Sequence, residues 1–155
     1  MSKSLFNLFL LVVVGTSVAA CGGVRNLFGR GGASTTVQVT GAPDLNSGGN
    51  AAFVHIYLLT DNAMFRTASY EAFWQSPQEA LGESMRSSSQ VQLFPGTKES
   101  VELELQTDVR YVGVAANLRA PDRDRWRAVF PASDVEGNVL HVVVDANSLS
   151  AQVQE

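Results

Sequence analysis

The sequence predicts an all-β fold, a sandwich of two sheets with about eight strands and a short helical insertion after the second strand. Three observations carry this expectation. Apolar residues alternate with polar ones along most of the chain beyond Thr35. Turn-forming residues such as Pro95-Gly96 and Glu136-Gly137-Asn138 separate the alternating runs. A single stretch, residues 61–82, loses period two and gains the punctuation of short helices.

Taken in order, "TTVQVTG" opens the domain at Thr35 as a short strand. "FVHIYLL" (Phe53 to Leu59) follows, with Val54, Ile56 and Leu58 on one face. "QVQLF" is succeeded across Pro95-Gly96 by "SVELELQ", where Val101, Leu103 and Leu105 alternate with Glu102 and Glu104, so the pair reads as a hairpin. "YVGVAANL" (Tyr111 to Leu118) is apolar on both faces, as expected of a central strand. "DRWRAVF" is expected to set Trp126, Ala128 and Phe130 on one side and an arginine stripe, Arg123, Arg125 and Arg127, on the other. After Glu136-Gly137-Asn138 come "VLHVVVDA" and a last edge strand, "SAQVQ".

Within "DNAMFRTASYEAFWQSPQEALG", Asp61 is placed to cap a turn holding Met64 and Phe65. Ser76-Pro77-Gln78-Glu79 has the layout of a capping box with proline at the first helical position, and Gly82 suits a left-handed helix end. Phe65, Tyr70, Phe73, Trp74 and Leu81 give the insertion an apolar side, expected to cover an end or edge of the sandwich, or to form a patch for a partner.

Ahead of the domain, Lys3, the apolar run Leu5–Gly15 and the small residues of "TSVAA" have the form of an export signal over residues 1–20. That run is shorter than the roughly 20 apolar residues a membrane span needs. Val18-Ala19-Ala20-Cys21 resembles the bacterial lipobox, in which the cysteine thiol is acylated and becomes the new N-terminus. The chain's single cysteine has no intrachain disulfide partner, which favours this reading of Cys21. Several acyl chains make a stable anchor where one does not, at roughly 0.8 kcal/mol per buried methylene. Gly22 and Gly23 stand where enteric-type lipoproteins carry an aspartate for inner-membrane retention. By that analogy the lipid sits in the inner leaflet of the outer membrane and the domain faces the periplasm. Residues 21–34 then comprise the lipidated cysteine and a tether with five glycines, and 35–155 the folded domain.

Loss of the signal moves the formal charge from −4 to −5, because Lys3 is its one charged residue. Such a chain offers no basic footprint for nucleic acid. The sequence holds no zinc-ligand spacing, phosphate loop, GxSxG elbow or dinucleotide fingerprint, so no metal, cofactor beyond the covalent lipid or small-molecule substrate is expected. Catalytic residues are likewise expected to be none. His55 and His141, taken to lie on neighbouring strands, are the sole candidates for a hydrolase-type cluster. Glu102 with Glu104, and the arginine stripe, read as solvated strand faces, the latter also as a second interface.

In combination the motifs resemble the TssJ family, the outer-membrane lipoproteins of type VI secretion. The matching pieces are Cys21, Leu45-Asn46, Val54 to Leu59, Met64-Phe65, "ASYEAF" (Ala68 to Phe73), Leu81-Gly82, Pro95-Gly96, "YVGVAA" (Tyr111 to Ala116) and Trp126-Arg127-Ala128. The resemblance implies a transthyretin-like sandwich that binds the periplasmic C-terminal domain of TssM, the large inner-membrane subunit, and helps assemble the trans-envelope complex. It further implies that the loop between the first two strands makes the contact, here Pro43, Asp44, Leu45, Asn46, Ser47, Gly48, Gly49 and Asn50. From the residues alone this loop reads as an ordinary strand connection. Leu45 could offer an apolar anchor, and the remainder adaptable polar groups. Many relatives carry a longer, proline-containing segment where Ser47 to Ala52 stands. The alternatives are another envelope-assembly or pilotin-like lipoprotein and a periplasmic hydrolase of similar fold.

Overall fold

The computed structural model of the chain describes residues 32–154; the export signal, Cys21 and most of the tether lie outside them. Two four-stranded sheets face one another, in the orders β4-β1-β7-β8 and β3-β2-β5-β6. The first holds β1 (Ala33–Gly41), β4 (Lys98–Leu105), β7 (Val139–Val144) and β8 (Leu149–Gln154). The second holds β2 (Ala52–Leu59), β3 (Met85–Leu93), β5 (Tyr111–Asn117) and β6 (Arg127–Pro131). Every pairing is antiparallel except β1 with β7. The first strand starts two residues before Thr35, taking Ala33 and Ser34 from the expected tether.

Period two sets the interior. Val37 and Val39 of β1, Leu140, Val142 and Val144 of β7, and Leu103 and Leu105 of β4 meet Val54, Ile56 and Leu58 of β2 and Val112, Val114 and Ala116 of β5. β5 runs between β2 and β6 with one face on the first sheet and the other under the insertion, which accounts for its apolar character on both faces.

One expectation fails at Pro95-Gly96. β3 and β4 belong to different sheets, so this turn is a crossover and not a hairpin. It is tied instead to the end of β1: Gly41 N–H donates to Thr97 O and Gly96 N–H to Gly41 O, each at 2.9 Å. A Cβ at Gly41 would lie 2.5 Å from Phe94 O, so only glycine allows this approach.

The insertion comprises α2 (Ala63–Thr67), α3 (Tyr70–Gln75), α4 (Pro77–Leu81) and a 3₁₀ turn (Gly82–Ser84). It covers the outer face of the second sheet rather than an end or edge, making a third layer. Phe65 and Phe73 are fully buried there, packing on Tyr57 with ring centroids 5.9 and 5.6 Å away. Burial of each phenyl ring stabilises by roughly 1.5–3 kcal/mol. Gly113 makes room for Phe65: a Cβ on it would sit 2.9 Å from the ring.

Asp61 Oδ1 does accept from Ala63 N–H, at 2.8 Å. The Ser76 capping box does not form, and Gly82, at φ 51° and ψ −135°, is outside the left-handed helical well. Ser69 supplies the side-chain cap, its Oγ accepting from Ala72 N–H. α5 (Ala132–Val135) follows β6 and leads into β7.

Candidate functional site

The loop from Pro43 to Asn50 leaves the end of β1 and enters β2 at one pole of the sandwich. Its middle, α1 (Leu45–Gly48), is not a regular helix. Asn46 (φ 50°), Ser47 (φ 61°), Gly48 (φ 97°) and Gly49 (φ 87°) are four successive residues in the left-handed half of backbone space. Asparagine and glycine tolerate this at little cost; serine does so less readily.

Hydrogen bonds to two other loops hold the shape. Asn46 N–H donates to Asp145 O at 3.0 Å and Ser47 N–H to Ala146 O at 2.7 Å, docking the loop on the β7–β8 turn. Asn46, only 6% exposed, uses both ends of its amide: Nδ2 donates to Ala51 O and Oδ1 accepts from Arg119 N–H, both at 2.7 Å. Asn50 Nδ2 bridges Asn46 O and Ser47 O at 3.2 Å each. Leu45 is fully buried, its side chain lying beside Leu93 against Gly41. Leu45 and Asn46 are thus the loop's scaffold, while Pro43, Asp44, Ser47, Gly48 and Gly49 face solvent and Asn50 is half-buried.

The supporting β7–β8 turn is itself fixed by Asp145. Its carboxylate accepts from Ser148 N–H (2.7 Å), Asn147 N–H (3.1 Å) and Ser148 Oγ (2.8 Å). Burial raises the Asp145 pKa, yet these bonds and nearby Arg125 outweigh it and hold the carboxyl below its ordinary range. The β5–β6 connection joins the same pole through Asp122 N–H, which donates to Asn147 O at 2.8 Å. Sequence reasoning missed these supports, although Asp145-Ala146-Asn147-Ser148 is rich in turn formers whose side chains bond the backbone two or three residues on.

The remaining candidates do not converge. His55 and His141 are on different sheets, not neighbouring strands, and each projects from the outer face of its own sheet, so they point away from each other. His55 packs under the insertion, with its Nδ1 3.0 Å from Tyr57 Oη and its ring edge-on to Trp74. Burial lowers the His55 pKa and pushes the Tyr57 phenol up to about 12. A phenol that keeps its proton donates to an unprotonated Nδ1, which fits a neutral imidazole. Glu102 and Glu104 lie exposed on β4. Among the described residues no group of three or more His, Cys, Asp and Glu could hold a metal ion, and no described helix is long and apolar enough to cross a membrane.

No arginine stripe exists either. β6 begins only at Arg127; Arg123 has φ 52° in a turn, and exposed Arg125 pairs with Asp122 at 3.4 Å. Trp126 is buried against Tyr70 and Phe73 of the insertion, not beside Ala128 and Phe130 on the inner face. Arg127 stacks on the Trp126 ring at 4.5 Å and donates to Phe65 O (2.6 Å), Arg66 O (2.6 Å) and Ala68 O (2.7 Å), the orphan carbonyls at the end of α2. Desolvation lowers its pKa while Asp124, at 3.1 Å, opposes that shift. It is a latch for the insertion.

The family model described as type VI secretion lipoprotein, VasD, EvfM, TssJ matches residues 33–147, from the first residue of β1 to the β7–β8 turn. The chain belongs to this family. As a TssJ-family lipoprotein it also shares its fold with solved structures. The type VI secretion lipoprotein TssJ1 of Pseudomonas aeruginosa superposes with a TM-score of 0.71 at 24% identity, covering 80% of this chain and 98% of that one. A chain in a structure described as a type VI membrane complex gives 0.71 at 25% identity, covering 77% and 98%. A chain in a structure described as the TssM C-terminal domain (869–1107) from EAEC gives 0.68 at 24% identity, also covering 77% and 98%. No curated protein matches the sequence.

Proposed function

We propose that this TssJ-family chain is a lipoprotein of the outer membrane, anchored through acylated Cys21, that binds the periplasmic C-terminal domain of TssM. In doing so it helps assemble the trans-envelope complex of a type VI secretion system, and its role is binding and not catalysis. The observation that carries the reading is the direction of β1. The segment leading back to Cys21 joins this strand at Ala33, whereas the candidate loop leaves it after Gly41. Nine residues of extended chain set the two about 27 Å apart. A domain held to one membrane by its first pole therefore presents the Pro43–Asn50 loop toward the other membrane.

The likeness to a chain in the TssM structure supports the partner. That chain is covered to 98% by 77% of these 155 residues, which makes it about half as long as the span 869–1107. A chain of this fold is thus present in a structure described as the TssM C-terminal domain. Tethering raises the local concentration of a partner rising from the inner membrane, so a small loop contact suffices.

The test is calorimetry of the mature chain, made non-acylated by Cys21→Ser, against the cognate TssM periplasmic domain. Ser47→Trp puts a bulky ring on the exposed tip and leaves Leu45 and Asn46 untouched. Binding should fall by at least tenfold in a protein that still unfolds cooperatively, with only the modest loss of stability that a bulky residue at φ 61° costs, while Ser100→Trp on the uncovered face of the first sheet binds as wild type. Equal binding by Ser47→Trp would exclude the loop, and no binding by wild type would exclude TssM.

A further inference from the structure

We infer that the tip of this loop is a hydrogen-bond acceptor surface that recognises a cationic side chain, a guanidinium or ammonium group, on the partner. The inference rests on the loop being the contact proposed above. All six consecutive amides from Leu45 to Asn50 already donate within the chain: to Ala42 O, Asp145 O, Ala146 O, Asp44 O and, twice, Leu45 O. The side-chain donors are engaged as well, Asn46 Nδ2 and Asn50 Nδ2 on backbone carbonyls and Ser47 Oγ on Ala146 O. Pro43 has no N–H, so Asp44 N–H is the one amide between Pro43 and Asn50 without a partner among the described residues.

Acceptors are left over. Gly48 O and Gly49 O take no hydrogen bond from any described residue, and both residues are exposed. Asn50 Oδ1 is similarly without a donor. Asp44 stands at the N-cap position of α1, where a carboxylate usually accepts the amides two or three residues on. It caps nothing, because the amides of Asn46 and Ser47 have turned to Asp145 O and Ala146 O. Arg119, whose own N–H holds Asn46 Oδ1, makes no ion pair with Asp44 among the described residues, so no such contact within the domain neutralises the carboxylate.

An acceptor surface of this kind is matched by charged donors. A partner surface of carboxylates and carbonyls would meet repulsion, and an apolar one would leave the acceptors desolvated without partners. Guanidinium and ammonium groups carry several donors and no acceptor. A bond from such a group to Asp44 is worth roughly ten- to a hundredfold in affinity. Because the contact is exposed, salt screens it.

The experiment measures the dissociation constant of the non-acylated mature chain for the TssM periplasmic domain at low and high sodium chloride, for wild type, Asp44→Asn, Asp44→Arg and Ser47→Trp. The expected result is salt-weakened binding by wild type. Asp44→Asn should lose about tenfold at low salt and show a flatter salt dependence, and Asp44→Arg should bind no more than marginally, all with wild-type thermal stability. If Asp44→Asn and Asp44→Arg bind within twofold of wild type while Ser47→Trp is impaired, the acceptor inference is wrong and the loop reading stands. Undiminished binding by Ser47→Trp, or none by wild type, overturns both.

Discussion

Replacing Arg127 with methionine separates a latch from an interface. The substitution keeps an unbranched apolar stem and removes a guanidinium whose side chain is 9% exposed. Three carbonyls at the end of α2, those of Phe65, Arg66 and Ala68, lose a charged donor at 2.6–2.7 Å. Each such bond contributes about 1.5–3 kcal/mol, and stacking over Trp126 contributes about 0.5–2 kcal/mol. The pair with Asp124, whose carboxylate is 86% exposed, contributes little. These terms do not add, because Arg66 is exposed and its carbonyl regains water. A net loss of about 3 kcal/mol is expected, a large part of the roughly 5–15 kcal/mol that stabilises a domain. In urea unfolding this lowers the midpoint by roughly 1.5 M for a slope near 2 kcal/mol/M. Arg127→Lys should recover only part, since a point-like ammonium lacks the planar fork. A loss below about 1 kcal/mol for methionine would refute the latch. Unchanged stability with weakened partner binding would restore the interface reading of this arginine.

Further outcomes follow from the same packing. Gly113→Ala forces a methyl group to within 2.9 Å of the buried Phe65 ring and should cost about 1–3 kcal/mol; Phe65→Leu in the same chain should relieve most of it, and equal stability of Gly113→Ala and wild type in urea would contradict the close approach. Asn46→Ala removes two bonds from a buried amide and imposes alanine at φ 50°, so about 2 kcal/mol of stability should disappear together with partner affinity; wild-type melting would show that the bonds at 2.7 Å carry no weight. His55 has its pKa lowered by burial from an ordinary 6.5, so the folded state resists protonation. Its contribution is complete above pH 6.5 and is lost as the pH falls below that value toward the lower folded pKa. His55→Gln should flatten the decline in stability between pH 7 and 5, and an identical decline in both proteins would exclude His55 as its source.

Strand faces were legible because period two is a local property: Val54, Ile56 and Leu58 turn inward wherever β2 is placed. Sheet membership was not. Pro95-Gly96 reports a chain reversal and is silent on whether the next strand pairs with the last or crosses to the other sheet. That choice is made by Gly41, more than fifty residues earlier, whose missing side chain admits the carbonyl of Phe94. The arginine stripe failed for a related reason. Alternation does not reach back to Arg123, because a turn intervenes where φ 52° resets the phase and sends Trp126 to the helices with Arg127. An arginine that follows a tryptophan at the start of a strand carries no local mark of the three carbonyls it serves, since they belong to residues about sixty positions away.

The candidate loop shows how composition can mislead about mobility. Ser47-Gly48-Gly49-Asn50 reads as adaptable, because glycine widens the conformations open to an unfolded chain. In the folded domain that breadth serves a different end, access to four successive positive φ angles that turn the amides of Asn46 and Ser47 onto Asp145 and Ala146. With Asn46 buried and Leu45 in the core, the tip is held at both ends and from beneath. A loop so fixed meets a partner without first losing backbone entropy, a cost of roughly 1–2 kcal/mol for each residue ordered on binding. Its glycines thereby favour a rigid surface of carbonyls and one uncapped carboxylate, an outcome set by hydrogen bonds to residues about a hundred positions downstream that the eight letters of the loop do not contain.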